Sequence, residues 1–130
     1  MTSFKTTLAL AAVLTLGGVA AVAAANDEQI KAEAGKVVFD HKCHVCHDAK
    51  KTSTYGPSLV GVYGRKAGTL PNYAYSDAMK AAGFVWTEET LRAWMANNTG
   101  VVPGTRMRHV GVTDPAEQDF IIAYLRALKK

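Results

Sequence analysis

A chain of 130 residues with a formal net charge of +4 has room for one domain. Acidic residues are interleaved with the lysines and arginines throughout, and no basic run marks a nucleic-acid tail, so the excess charge reads as solvated surface that favours at most an acidic docking partner. A chain this short buries little core of its own, and a cofactor would help to complete it.

Residues 1–25 have the pattern of a cleaved secretory signal peptide. Lys5 supplies the positive n-region, Leu8 to Val22 form an apolar run interrupted by Gly17 and Gly18, and Ala23-Ala24-Ala25 satisfies the small-x-small cleavage rule. The mature domain is then 26–130, starting at Asn26 and exported to the periplasm. An uncleaved anchor is the rival, since the run approaches the ~20 residues of a membrane span. The alanine-rich composition and small-residue end favour cleavage. Export matters because free thiols tend to pair in an oxidising compartment.

Within the mature chain, Ile30, Ala34, Val37 and Val38 recur at helical spacing and predict an amphipathic helix from Glu28 to Asp40. Gly35 inside it either marks close approach of another element, with Phe39 on nearly the same face to seat a crossing helix, or is a tolerated glycine in an ordinary core helix. The stretch from Asp48 to Leu59 is polar with a Gly56-Pro57 turn, and a second loop runs through Gly61, Gly64, Gly68 and Pro71. That glycine density suits a chain wrapping closely around a flat object. Ser76 to Ala82 predicts two helical turns closed by Gly83.

Thr87 before Glu88 and Glu89 predicts an N-cap, Leu91, Trp94 and Met95 an apolar stripe, and Asn97 to Gly100 a helix end. A loop with Val102-Pro103-Gly104 then leads through Met107 to Val112. In the last helix Asp114 is the cap, Pro115 fits the first turn and Glu117 completes a capping-box-like pattern. Its inner face is Phe120, Ile121, Tyr124, Leu125 and Leu128. No stretch alternates like a strand and no repeat appears, so the expected class is all-α.

The chemistry concentrates in Cys43-His44-Val45-Cys46-His47. Cys-x-x-Cys-His is the pattern of c-type haem attachment: two thiols about one helical turn apart meet the vinyl groups, and the following imidazole reaches the iron. A structural zinc site would need four ligands, and neither a second cysteine pair nor a spaced histidine pair is present. A thioredoxin-like redox pair needs a strand-helix context that the pattern lacks. For the second axial position the candidates are His41, His44, His109, Met79, Met95 and Met107. His41 and His44 lie too near the attachment turn to reach the far face, and Met79 and Met95 sit on predicted helices where packing is the commoner role. Met107 lies in a distant Pro-Gly-led loop and offers a soft thioether; His109, two residues on, is its rival.

The order of landmarks resembles the class I c-type cytochromes, of the cytochrome c2 and mitochondrial cytochrome c type, over essentially the whole mature chain. They are Gly35 and Phe39, Cys-His-Val-Cys-His, Tyr-Gly-Pro-Ser-Leu at 55–59, Gly-Arg-Lys at 64–66 and Tyr75-Ser76-Asp77-Ala78. Val85-Trp86-Thr87-Glu88-Glu89-Thr90-Leu91, Pro103-Gly104-Thr105-Arg106-Met107 and Ile122-Ala123-Tyr124-Leu125 follow. The resemblance implies a cytochrome c fold whose terminal helices cross, one haem c on Cys43 and Cys46, and His47 and Met107 as axial ligands. It further implies that Pro57 accepts the other ring N–H of His47, that Arg65, Tyr75 and Trp86 surround the propionates, and that Thr105 hydrogen-bonds within the ligand loop. Gly35 and Phe39 would pack near Tyr124.

The chain departs from that pattern in carrying Trp94 where a tyrosine usually stands beside the methionine. It also has Met79 where an asparagine is common and His109 where an aromatic shields the haem edge. Lys42, Arg106 and Arg108 match the family's basic docking ring, whereas Asn97-Asn98-Thr99-Gly100 replaces expected positive charges. The function implied is a monomeric, soluble one-electron carrier, not an enzyme. It would run between a quinol-oxidising complex of the cytochrome bc1 type and an oxidase or photosynthetic reaction centre. The alternative is a haem enzyme or gas sensor with a displaceable distal ligand.

Overall fold

The structure is a computed structural model and describes residues 16–48 and 55–129. Lys5, the start of the apolar run and residues 49–54 of the first loop lie outside them. The described residues form α1 (Leu16–Lys42), α2 (Asp77–Ala81), α3 (Glu88–Val101) and α4 (Pro115–Ala127). Among them there is no strand, only a single antiparallel bridge between Lys66 and Val85, so the class is all-α. No helix among them is long and apolar enough to cross a membrane.

The first helix differs from expectation at its start and in its inner face. It begins at Leu16 rather than near Glu28 and runs through Ala23-Ala24-Ala25, because alanine is the strongest helix former. Residues 20–30 are all exposed and add nothing to the core. Ile30 and Val37, expected inside, are 65% and 59% exposed. The buried face is centred instead on Gly35 and Phe39. At about 100° per residue, Val37 points roughly 200° away from Gly35.

That face crosses α4 at backbone contact. A Cβ on Gly35 would lie 1.8 Å from the Phe120 carbonyl oxygen and 2.9 Å from the Tyr124 Cβ, so only glycine fits. One turn on, Phe39 packs on Tyr124 with ring centroids 5.1 Å apart. In α4 itself, Gln118, Ile122 and Ala123 are buried alongside the expected Ile121 and Leu125. Asp114 caps the helix by accepting from the Glu117 N–H at 2.9 Å. The Glu117 carboxylate, expected to close the capping box, instead accepts from Lys42 at 2.6 Å and ties the start of α4 to the end of α1.

In α3 the cap is reciprocal, with Thr87 and Thr90 each serving the other's backbone N–H. The helix does not end at Asn97. That residue is non-helical (φ −156°, ψ 81°) and kinks the axis, and one further turn reaches Val101. The Asn97 side-chain oxygen accepts from the Gly100 N–H at 3.0 Å and from the Thr99 hydroxyl at 3.1 Å. It therefore caps the second turn in the way an N-terminal Asn caps a fresh helix.

Between the helices the chain is held by backbone bonds outside regular structure. Gly61 N–H donates to the Leu128 carbonyl at 2.6 Å, Gly64 N–H to Trp86 at 2.8 Å, and Trp86 N–H to Arg65 at 2.9 Å. Gly61, Gly64 and Gly68 take positive φ of 65°, 82° and 71°, which explains the glycine density of this loop as turn geometry.

Candidate functional site

The site begins where α1 stops. Past Lys42 the Phe39 carbonyl accepts from the Cys43 and His44 N–H groups at 2.8 and 3.0 Å, and the Cys43 carbonyl from those of Cys46 and His47 at 3.1 and 2.9 Å. This tight winding turns Cys43, Cys46 and His47 towards a cavity of about 320 Å³. Val45, between them, is 85% exposed.

His47 is buried, and its Nδ1 lies 3.0 Å from the Pro57 carbonyl oxygen. A carbonyl can only accept, so Nδ1 carries the proton and donates, leaving the Nε2 lone pair of the neutral ring available to a metal. Burial lowers the His47 pKa, opposed by the Pro57 bond and assisted by His109. Gly56 permits the arrangement: a Cβ there would meet the Cys46 carbonyl oxygen at 2.5 Å and the His47 Nδ1 at 2.8 Å. The sequence marked Gly56 as a turn signal and as part of the landmark at 55–59, without this steric role. Burial also pushes the Cys43 thiol up to about 11, so it stays protonated at neutral pH.

All ten residues expected to form the site line this one cavity: Cys43, Cys46, His47, Pro57, Arg65, Tyr75, Trp86, Trp94, Thr105 and Met107. Phe39, Leu59, Val62, Leu91, Ile121 and Leu125 give it apolar walls. Trp86 stacks edge-on against Trp94 with centroids 5.3 Å apart and against Phe84 at 4.8 Å. Arg65 is not a plain surface arginine. It is half-buried, donating to the Val60 carbonyl at 3.1 Å and the Ser58 carbonyl at 3.4 Å, and burial lowers its pKa. Among the described residues no carboxylate lies within ion-pair distance of it.

Met107 is reached from the other end of the chain. Its N–H donates to the Thr105 hydroxyl at 3.3 Å, and Arg108 reaches back to the Thr105 carbonyl at 3.2 Å. Arg106 donates to the Ala74 carbonyl. The Met107 carbonyl accepts from the Asn98 side-chain amide at 2.8 Å. The sequence marked Asn98 as part of a helix end and of a stretch without the expected positive charges, and no motif points to this bond.

The other ligand candidates divide. His41 and His44 are exposed and do not line the cavity. Met79 and Met95 are buried as expected of core residues, yet both border the cavity. His109 does not line it; its Nδ1 lies 2.8 Å from the Val110 carbonyl, and its Nε2 is the buried side-chain polar atom without a partner among the described residues. Of the expected docking charges, Arg106 and Arg108 stay exposed, whereas Lys42 is paired with Glu117.

These residues fit a haem. One cavity brings together two thiols, a neutral imidazole whose Nε2 lone pair is available, a thioether, and a half-buried guanidinium with no carboxylate in ion-pair distance among the described residues. Comparison with known proteins agrees. Residues 32–129 match the family model described as cytochrome c. The chain is 43% identical over 99 residues to cytochrome c of Euglena viridis, covering 75% of this chain and 97% of that protein. It is 44% identical over 96 residues to cytochrome c2 of Rhodopila globiformis, covering 73% and 91%. The solved structure of cytochrome cH from Methylobacterium extorquens superposes with a TM-score of 0.70 at 43% identity, covering 74% of this chain and 97% of that one.

Proposed function

The chain belongs to the cytochrome c family of electron-transfer proteins and carries one haem c on Cys43 and Cys46, and from that premise we propose that it is a soluble, periplasmic one-electron carrier with His47 and Met107 as axial ligands. The observation that carries this reading is the shared cavity: the imidazole with its Nε2 unprotonated and the thioether border the same space. The haem supplies an iron that gains and loses one electron, and His/Met ligation raises its potential.

The rest follows from the protein's own side chains. Pro57 fixes the His47 tautomer, and burial keeps the ring neutral. His47 and Met107 would both be engaged by the iron, leaving no protein-side opening for a substrate there, which favours a carrier over a haem enzyme or gas sensor. Arg65, Tyr75 and Trp86 hold the haem carboxylates, with Arg65 supplying the charge and its own bonds to Val60 and Ser58 fixing its direction. Trp94 lines the same cavity as Met107 and, having no acceptor, can only donate to its surroundings.

Residues 1–25 are the leader removed on export, which suits the bacterial relatives named cytochrome c2 and cytochrome cH. The monomer docks briefly, through Arg106 and Arg108 at the rim, to a quinol-oxidising complex and then to an oxidase or photosynthetic reaction centre. Lys42 contributes less to docking because Glu117 already neutralises it.

The test is spectroscopic. The oxidised holoprotein should show the methionine-sulfur-to-iron charge-transfer band in the far red. Met107→Ala should abolish it, while His109→Ala, Met79→Leu and Met95→Leu should retain it. Retention in Met107→Ala with loss in one of the other variants would move the ligand. Rapid carbon monoxide binding to the reduced wild type at neutral pH would overturn the carrier reading.

A further inference from the structure

Met107 sits on a stretch with no regular structure, yet both of its backbone polar groups are held. Its N–H is bound by the Thr105 hydroxyl at 3.3 Å and its carbonyl by the Asn98 amide at 2.8 Å. The two bonds are not equivalent. Thr105 belongs to the same loop and moves with it, as does the Arg108 contact to the Thr105 carbonyl. The Arg106 bond to Ala74 is exposed. Asn98 stands on α3 and is only 6% exposed.

Its own placement is over-determined. Asn97 breaks the helix and caps the following turn, and the Asn98 carbonyl accepts from the Val102 N–H at 2.9 Å. Asn98 thus clasps the loop at its start through the backbone and at Met107 through its side chain.

We propose that Asn98 is a positioning residue for the distal ligand: by anchoring the Met107 carbonyl to α3 it holds the thioether in the cavity and resists its displacement. The proposal rests on Met107 being the axial ligand. A thioether is a weak donor that imidazole from solution can replace, and replacement requires the loop to open. Removing the donor from this part-buried carbonyl costs enough to favour the open loop by about tenfold.

The experiment measures imidazole binding to the oxidised holoprotein. Asn98→Ala and the near-isosteric Asn98→Asp, which keeps the volume and loses the donor, should bind imidazole about tenfold more tightly than wild type. The aspartate variant carries the test where the alanine variant does not mature. Thr87→Ala is the control, because it removes the cap at the opposite end of α3 at a similar cost in stability. It should leave imidazole affinity within about twofold of wild type. Asn98 variants that behave like Thr87→Ala would overturn the positioning role. Met107→Ala separates the two readings: if it retains the charge-transfer band, the ligand assignment fails as well, and if it loses the band, only the role of Asn98 is in question.

Discussion

Two regions border the same cavity and are held by opposite means. Where α1 crosses α4, backbone lies against backbone: the absent Gly35 side chain lets the helices meet, and Phe39, Ile121 and Leu125 fill the space beside the contact. The loop from Val102 to Val112 is packed only at scattered points, with Val102, Thr105 and Val112 buried and Gly111 close to the Ala96 carbonyl. Between them side-chain hydrogen bonds to its carbonyls hold it, with a backbone bond from the Val112 N–H to the Met95 carbonyl at 2.8 Å near its end. Packed contacts fail all at once, whereas a loop held by a few polar tethers can open while the fold survives. The first region should therefore govern whether the chain folds, and the second how firmly Met107, the proposed distal ligand, stays in place.

The largest expected effect breaks the first region. In an open helix Gly→Ala would stabilise by up to ~1 kcal/mol. At Gly35 the new Cβ would lie 1.8 Å from the Phe120 oxygen, a backbone atom that cannot swing away. Gly35→Ala should destabilise by about 3 kcal/mol, the upper end for overpacking. Denaturant unfolding of the holoprotein should show the loss, with the charge-transfer band surviving until the global transition. A stability within experimental error of wild type would mean that the helices do not meet here as described.

The matching substitution in the second region should do less to the fold and more to the ligand. A Cβ on Gly111 would stand 2.5 Å from the Ala96 carbonyl oxygen, just before the Val112 tether. Because the loop can shift, Gly111→Ala should cost only ~1 kcal/mol. It should also raise imidazole affinity, a change Gly35→Ala should not make. If both variants moved stability and imidazole affinity in the same proportion, the two regions would form one cooperative unit.

The same contrast decides what was readable from sequence. The attachment turn, the caps at Thr87 and Asp114, and the Gly35–Phe39 spacing are local, with cause and effect within a few residues. They appear in the structure where the sequence placed them. The cavity lining was legible through family resemblance, since composition alone does not bring Arg65 and Met107 together. What escaped depended on distant partners. Ile30 and Val37 have the right spacing for a buried face but lose to Gly35, whose small size fixes where α4 can approach. Glu117 has the right spacing for a capping box but finds Lys42. Asn97 and Asn98 look like a helix stop and act as a restart and a clasp.

The smallest expected effect asks whether charge adds to the packed crossing. Arg126 of α4 donates to Glu28 of α1 at 3.1 Å and to Glu88 of α3 at 3.0 Å, and Arg92 donates to Glu88 at 2.8 Å. Hydrogen bonding from Arg92, with a smaller contribution from Arg126, lowers the Glu88 pKa below its ordinary value of 4.5. Between those two values the unfolded chain binds more protons than the folded one, so the stability Glu88 contributes rises with pH. It is complete above pH 4.5 and is lost as pH falls through the lowered folded value. Because these groups are exposed, solvent screens the network and the gain is small. Glu88→Gln should therefore lower Tm slightly at neutral pH. The difference from wild type should shrink to nothing in acid, where Glu88 is protonated in both states and the two proteins carry the same charge there. Thermal melts of both proteins across pH measure it, and a difference that stayed constant well below pH 4.5 would assign the effect to side-chain packing rather than to charge.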